Sequence, residues 1–179
     1  MSTPTTTPRI CHAEHLPGTV AQDAHVSVLI VGGGACGLTA ALMLHDAGVD
    51  CAVLERDATP LGSSALSSGF IPAPGTQAQR AAGIDDSPER FAADISAKAK
   101  GMAAPHLVRA YAQAIGPALD ALQARHGLQW QVLDGFLYPG HSVRRMHATP
   151  EKTGVGLMGR LANAVTAADI PLITEATVR

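Results

Sequence analysis

The chain has 179 residues and a formal net charge of −2, with 13 lysines and arginines against 15 aspartates and glutamates. This length predicts one domain, and the balanced charge offers no basic field for nucleic acid. No apolar run approaches the length of a membrane span. Of the three cysteines, Cys36 and Cys51 are predicted to be buried free thiols and Cys11 has no obvious partner, which favours a reducing, cytoplasmic compartment.

The first 24 residues differ in composition from the rest of the chain. They are rich in Thr, Pro and His and contain no apolar core. This composition predicts a disordered tail over residues 1–24 and not a signal peptide, with the domain itself spanning residues 25–179.

A predicted strand leads directly into a glycine-rich turn. Val28–Val31 is short, apolar and β-branched, which predicts a strand buried on both faces of a parallel sheet. Gly32, Gly34 and Gly37 then occupy the glycine positions of G-x-G-x-x-G, and residues 38–47 read as an Ala- and Leu-rich helix. The helix N-terminus would direct free N–H groups at a pyrophosphate.

An acid follows the second predicted strand, at about the spacing of a dinucleotide-binding unit. The strand is Cys51–Leu54 and the acid is Glu55. Its carboxylate can accept hydrogen bonds from ribose hydroxyls, and it disfavours the 2′-phosphate of NADP. The motif leaves FAD and NAD open, because both contain the same ADP.

A second glycine- and serine-rich segment spans residues 62–73. Small polar residues bounded by glycines can lie flat against a ligand and offer N–H groups and hydroxyls to it. Leu66, Phe70 and Ile71 argue against a flexible surface linker, since linkers rarely carry three large apolar residues.

The middle of the chain reads as two helices. Asp85 or Asp86 and Ser87 offer cap chemistry before a helix over residues 88–100, with proline in its first turn. A second helix is predicted over residues 105–126, and Gly116-Pro117 predicts a kink or break within it.

The last third predicts a hairpin, a helix and a strand. Residues 128–138 read as two short strands around a turn at Asp134-Gly135. Thr153 suits the N-cap of a helix over residues 154–168, and Pro171–Thr174 reads as a third buried strand.

Two histidines and two arginines lie within His141–His147. Arg144, Arg145 and His147 could face an anionic substrate, because guanidinium groups recognise carboxylates by paired hydrogen bonds. A solvated basic turn explains the same residues. No metal site is expected, since no cysteine pair or carboxylate stands at suitable spacing.

From about Val26 onward the chain resembles the FAD-dependent fumarate reductase/succinate dehydrogenase flavoprotein family, which includes L-aspartate oxidase and 3-ketosteroid dehydrogenases. The resemblance is carried by Gly32–Gly37, Glu55, Ser63–Ile71, Asp86–Glu89, Gly140–His147 and Thr153-Gly154. The expected fold class is therefore α/β: an incomplete Rossmann-like FAD-binding domain with a βαβ dinucleotide unit, inserted helices and a short hairpin.

The resemblance implies which residues contact the cofactor. The segment matching Ser63–Gly69 runs along the flavin and pyrophosphate in the family, and a residue just past the third strand, here Val178, touches the adenine. In the succinate dehydrogenase branch a histidine carries the flavin covalently, and Ser63 stands at the matching position, so we expect non-covalent FAD. The expected FAD-binding residues are Gly32, Gly33, Gly34, Ala35, Cys36, Gly37, Glu55, Arg56, Ser63, Ser64, Ser68, Gly69 and Val178.

The family also implies a reaction, with hydride passing between the flavin N5 and a C–C or C=C bond next to a carbonyl or carboxylate. Its cap domain, proton-transferring arginine and late glycine-acid motif find no match here, so no catalytic residue is assigned. We expect residues 1–179 to be an inactive, marginally stable fragment that leaves apolar surface uncovered. The expected partner is a small-molecule substrate, with no electron partner identified. A different flavoprotein class, an NAD-dependent dehydrogenase and a non-catalytic dinucleotide-binding module stay open.

Overall fold

The computed structural model describes residues 25–178, and the tail predicted over residues 1–24 lies outside them. In chain order the elements are β1 (Val28–Val31), α1 (Ala35–Asp46), β2 (Cys51–Leu54), α2 (Gly62–Ala65), β3 (Ile71–Pro72), α3 (Gln77–Ala81), α4 (Pro88–Lys98), α5 (Pro105–His126), β4 (Gln131–Val132), β5 (Met146–Ala148), α6 (Gly154–Ala167) and β6 (Leu172–Ile173). The predicted α/β class is confirmed. Among residues 25–178 no helix has the length and apolar character to cross a membrane.

A parallel sheet in the order β1-β2-β6 organises the dinucleotide unit. Val28 pairs with Cys51, and Val53 pairs with Leu172. Helix α1 forms because its sequence is rich in alanine and leucine, and it packs against α6 over β2. The core between them is made by fully or nearly fully buried side chains, including Leu38, Leu42, Val53, Met158, Leu161 and Val165.

The prediction that β1 is buried on both faces is wrong. Val28 and Ile30 pack against the core, whereas the alternate residues Leu29 and Val31 are 53% and 64% exposed. Successive strand side chains point to opposite faces, and only one face of this strand is covered among the described residues. In β6, also predicted to be buried, Ile173 is half exposed. The expected uncovered apolar surface is therefore present on this sheet.

Helices α4 and α5 pack together beside the sheet. Ser87 caps α4 as predicted, with its hydroxyl accepting the N–H of Arg90 at 3.2 Å. The predicted interruption at Gly116-Pro117 does not break α5, which is continuous from Pro105 to His126. Leu119 and Leu122 are buried beyond the proline, so the helix continues to pack after it.

A small antiparallel sheet in the order β3-β5-β4 joins distant parts of the chain. Val132 and Ile71 flank His147 from opposite sides in this sheet. The predicted hairpin around Asp134-Gly135 is wrong, because β4 pairs with β5 across a long connection instead. Trp130, just before β4, is anchored by its indole N–H, which donates to the carbonyl of Leu119 at 2.9 Å.

Candidate cofactor-binding site

The glycine turn closes tightly between β1 and α1. The N–H of Gly32 donates to the carbonyl of Leu54 at 2.7 Å, and its φ of +103° is open to glycine. A Cβ at Gly37 would collide with the carbonyl oxygen of Gly32. A Cβ at Gly34 would instead meet only the Ser64 hydroxyl, at 3.7 Å. The first and third glycines thus close the turn, whereas the second leaves space beside it.

The start of α1 is suited to an anion. Its first turn contains no acidic side chain, and Gly34 at the N-cap provides no side-chain acceptor. The first N–H groups of a helix have no acceptor within the helix and carry a partial positive charge. Gly33, Ala35 and Cys36 lie at this point, where the sequence places pyrophosphate contacts. The N–H of Gly33 donates to Glu55 and that of Ala35 to Ser64.

The two thiols of this unit differ in exposure. Cys51 is buried and its thiol lies 3.7 Å from the carbonyl of Ala41, and burial raises the pKa of this thiol. Cys36 is exposed, which corrects the prediction that both thiols are buried.

Glu55 links the end of β2 to the glycine turn. One carboxylate oxygen accepts the N–H of Gly33 at 2.6 Å and the other accepts the N–H of Asp57 at 2.9 Å. Each oxygen has a second lone pair, so both can still accept a ribose hydroxyl. Arg56, included among the predicted cofactor contacts, points to solvent and pairs with Asp57 at 3.2 Å.

The serine-rich segment lies against the same end of α1. It begins as the short helix α2, and the Ser64 hydroxyl accepts the N–H of Ala35 at 3.3 Å. Ser63 and Ser68 are exposed. Leu66 is 90% exposed, which gives this segment an uncovered apolar side chain among its hydroxyls. The glycine turn and the serine-rich segment thus form one continuous surface.

The chain beyond β6 returns to Glu55. The N–H of Ala176 donates to the backbone carbonyl of Glu55 at 2.9 Å. Val178, predicted to touch the adenine, follows two residues later with its side chain half exposed. This placement brings the predicted adenine contact to the end of the sheet that holds the predicted ribose contact.

The basic segment His141–His147 was interpreted either as a contact for an anionic substrate or as a solvated turn, and two of its basic residues fit neither interpretation. Arg145 and His147 are fully buried, so they neither face a substrate nor form a solvated turn. Arg145 pairs with Asp86 at 2.8 Å and with Asp94 at 2.5 Å. These two aspartates were not predicted as its partners, because they lie 59 and 51 positions earlier in the chain.

His147 is held as a neutral ring in the same cluster. Its Nδ1 lies 2.9 Å from the carbonyl of Arg145 and donates to it, so Nε2 accepts the Thr76 hydroxyl at 2.7 Å. Burial lowers the pKa of His147 below its ordinary value. Of the three residues predicted to face a substrate, Arg144 is the exposed one, and it lines a cleft of about 490 Å³ together with Phe136 and Leu137. Within residues 25–178 no group of His, Cys, Asp or Glu side chains is arranged to hold a metal ion.

Comparison with known proteins gives a family model and several relatives that all concern flavoproteins. The family model of the FAD binding domain matches residues 27–179. A urocanate reductase of Eggerthella lenta is 32% identical over 136 residues, which are 76% of this chain and 22% of the relative. An acrylate reductase flavoprotein subunit of Shewanella woodyi is 33% identical over 155 residues, which are 84% of this chain and 29% of the relative. The chain thus spans less than a third of the length of these relatives.

Solved structures share the fold. An open conformation of a flavocytochrome c3 fumarate reductase matches with a TM-score of 0.74 and 25% identity, over 84% of this chain and 26% of that one. A 3-ketosteroid-Δ4-(5α)-dehydrogenase from Rhodococcus jostii RHA1 matches with a TM-score of 0.70 and 24% identity, over 88% of this chain and 39% of that one. The family match, the relatives and the folded βαβ unit agree, and the chain belongs to the FAD binding domain family of fumarate reductase-like flavoprotein oxidoreductases.

Proposed function

We propose that residues 25–178 bind FAD non-covalently as part of an oxidoreductase that moves hydride between the flavin and a C–C or C=C bond next to a carbonyl or carboxylate. The observation that carries this proposal is one surface made by three elements. The glycine turn, Glu55 and the serine-rich segment meet there through hydrogen bonds of 2.6 Å and 3.3 Å.

The residues of this surface fit the chemical groups of FAD in order. The N–H groups at the start of α1 suit the pyrophosphate, and the absent side chain of Gly34 leaves room for it. The carboxylate of Glu55 has free lone pairs for the ribose hydroxyls. The hydroxyls of Ser63 and Ser68 are exposed on the segment proposed to follow the flavin.

The cofactor would supply the redox chemistry, and the protein would bind and orient the cofactor. When bound, FAD supplies hydride transfer at its N5 atom. This chain's residues bind and orient the cofactor: Glu55 fixes the ribose, the amides of α1 hold the phosphates, and Ser64 ties the serine-rich segment to α1. Ser63 stands where a flavin-bearing histidine would be needed for covalent attachment, which supports non-covalent binding.

The substrate class follows from the relatives and from charge. Proteins named urocanate, acrylate and fumarate reductases share this domain. We propose a small unsaturated acid as substrate of the whole protein. Arg144 is the exposed guanidinium of the basic segment and would suit a carboxylate. No residue of this chain is assigned to proton transfer.

Ligand titration tests the proposal directly. FAD, NAD and ADP are titrated into the purified chain by calorimetry, and bound FAD is followed by its visible absorption. We expect FAD to bind at least about tenfold more tightly than NAD, because only FAD can use the serine-rich segment. Tighter binding of NAD would favour a dehydrogenase, and binding of ADP with no gain for FAD would favour a nucleotide-binding module without flavin chemistry.

A further inference from the structure

The serine-rich segment is seated on the first residue of α6. The N–H of Gly154 donates to the carbonyl of Ser67 at 2.9 Å. A Cβ at Gly154 would collide with the carbonyl oxygen of Ser64 and would lie 2.6 Å and 2.8 Å from those of Ser67 and Ala65. Three backbone carbonyls therefore converge on the space that a side chain would fill. Backbone atoms in a hydrogen-bonded turn cannot swing aside as the end of a flexible side chain can.

A second glycine, Gly69 in the serine-rich segment, packs against the same point at the start of α6. Gly69 has a φ of +68°, and a Cβ there would lie 2.6 Å from the carbonyl oxygen of Thr153 and 3.1 Å from the nitrogen of Gly154. Its own N–H donates to the Ser67 hydroxyl at 3.0 Å. Both ends of the contact thus depend on the absence of a side chain, and Gly69 is buried in it.

The same segment touches α1 through Ser64, whose hydroxyl accepts the N–H of Ala35. Ser64 is therefore hydrogen-bonded to α1 through its side chain, and its carbonyl lies against the first residue of α6. A shift of the segment on α6 would move Ser64 relative to the start of α1. The position of the segment over the bound cofactor depends on both contacts.

We propose that Gly154 is a positioning residue for FAD. It holds Ser64–Ser67 against α6, in the position where this segment can contact the flavin half of the cofactor. This inference rests on the proposed function, because it assigns the segment to the flavin half of FAD. The ADP half meets the glycine turn and Glu55, whereas the atoms nearest to a Cβ at Gly154 all belong to the serine-rich segment. We therefore expect Gly154 to act mainly on FAD binding and much less on ADP binding.

Helix α6 provides a matched control. Gly159 lies in the same helix, and a Cβ there would meet nothing within 4 Å. Gly154→Ala and Gly159→Ala are compared in the full chain by titration with FAD and with ADP. We expect Gly154→Ala to weaken FAD binding by about tenfold or more, to leave ADP binding within about twofold, and to shift the absorption spectrum of bound flavin. Gly159→Ala should match the unsubstituted chain in all three measurements.

Unchanged FAD binding in Gly154→Ala, or an equal loss for FAD and ADP, would overturn the inference. If this variant fails to fold, Gly69→Ala perturbs the same contact from the serine-rich segment and should give the same split between FAD and ADP. Hydrogen exchange in the unsubstituted chain is a further check, since the Gly154 amide should be protected without any ligand and rapid exchange there would refute the contact.

Hydrogen exchange also separates this inference from the proposed function. If the unsubstituted chain binds ADP but gains nothing for FAD, the proposed function fails. Amides of residues 64–69 that then exchange faster in Gly154→Ala than in Gly159→Ala would still show that Gly154 fixes the segment. Equal exchange in the two variants would show that it does not.

Discussion

The guanidinium of Arg145 binds both carboxylate oxygens of Asp86, at 2.8 Å and 3.0 Å, and neither side chain has any exposed surface. A third contact at 2.5 Å joins Arg145 to Asp94, and the ring of Phe91 lies 4.8 Å from the guanidinium carbon. Arg145, directly before β5, thus connects that strand's start with Asp94 in α4 and with Asp86 in the segment before α4. A buried pair of this kind is costly to break, because the remaining charge stays buried without a partner.

Arg145→Met should destabilise the chain by about 3–5 kcal/mol, since it leaves the Asp86 and Asp94 carboxylates without their cation. Urea unfolding followed by circular dichroism measures this change. Arg90→Met is the matched control, because Arg90 lies 4.0 Å from the fully exposed Asp85 and its loss should cost less than about 1 kcal/mol. Equal losses in the two variants would mean that the Arg145 cluster adds nothing beyond a surface ion pair.

The neutral state of His147 predicts a stability that falls in mild acid. The unfolded chain protonates this ring near its ordinary pKa of 6.5, whereas burial lowers the pKa in the folded chain. The unfolded state then binds more protons below pH 6.5, so the stabilisation is complete above that value and is lost as the pH falls towards the folded pKa. His141 has a pKa lowered by burial and by Arg145, and it contributes with the same sign.

Unfolding free energies between about pH 7.5 and about pH 5.5 test this dependence. His147→Gln should be less stable at the upper pH, because Thr76 loses a well-placed acceptor, and it should show a shallower dependence on pH than the unsubstituted chain. His106→Gln, which removes an exposed histidine from α5, is the matched control because it leaves the hydrogen bond between Thr76 and His147 in place. A slope unchanged by His147→Gln would refute the neutral, buried assignment.

Local chemistry accounts for the elements that the sequence could predict. The hydroxyl caps at Ser87 and Thr153 depend on residues three positions apart, and the contact between the glycine turn and Glu55 spans 22 positions within one strand-helix-strand motif; all are found in the structure. The caps are simple cases, since a serine or threonine hydroxyl needs only an N–H three residues away.

Long-range pairing accounts for the elements that it could not predict. Asp134-Gly135 has the composition of a tight turn, yet β4 finds its partner in β5 and leaves that dipeptide in a longer connection. The burial of Arg145 depends on two carboxylates more than fifty positions away, and no local pattern marks that pairing. The exposure of Val31 likewise depends on what covers the sheet and not on the apolar run itself.

Replacing the third glycine of the turn by alanine should mainly lower stability, whereas replacing the second should mainly weaken ADP binding. Gly37→Ala places a Cβ against the backbone of Gly32 and should lower stability by about 1–3 kcal/mol. Gly34→Ala meets only the Ser64 hydroxyl at 3.7 Å and should cost at most about 1 kcal/mol, yet it should weaken ADP binding by about tenfold or more by filling the phosphate approach. Thermal unfolding and ADP titration of both variants measure the contrast. Intact ADP binding in Gly34→Ala would argue that the pyrophosphate lies elsewhere.

Glu55→Ala should weaken binding of both ADP and FAD by about ten- to a hundredfold, because a charged acceptor for the ribose hydroxyls is lost. Calorimetric titration measures both ligands. Asp57→Ala is the matched control, since the Asp57 side chain is exposed and pairs only with Arg56 among the described residues. A loss limited to FAD would contradict the ribose assignment, because the adenosine ribose is common to the two ligands.

Because one face of the parallel sheet is uncovered, replacing valine by threonine should have little effect on stability on that face and a large effect on the buried face. Val31→Thr, on the exposed face, should alter the free energy of unfolding by less than about 0.5 kcal/mol and reduce binding of an apolar dye. Val53→Thr, on the neighbouring strand, places a hydroxyl at a fully buried position and should cost about 1–3 kcal/mol. Denaturant unfolding at several protein concentrations measures both variants. If Val31→Thr costs as much as Val53→Thr and the loss grows with protein concentration, another copy of the chain covers Val31 in solution, and the face is not free as the structure shows it.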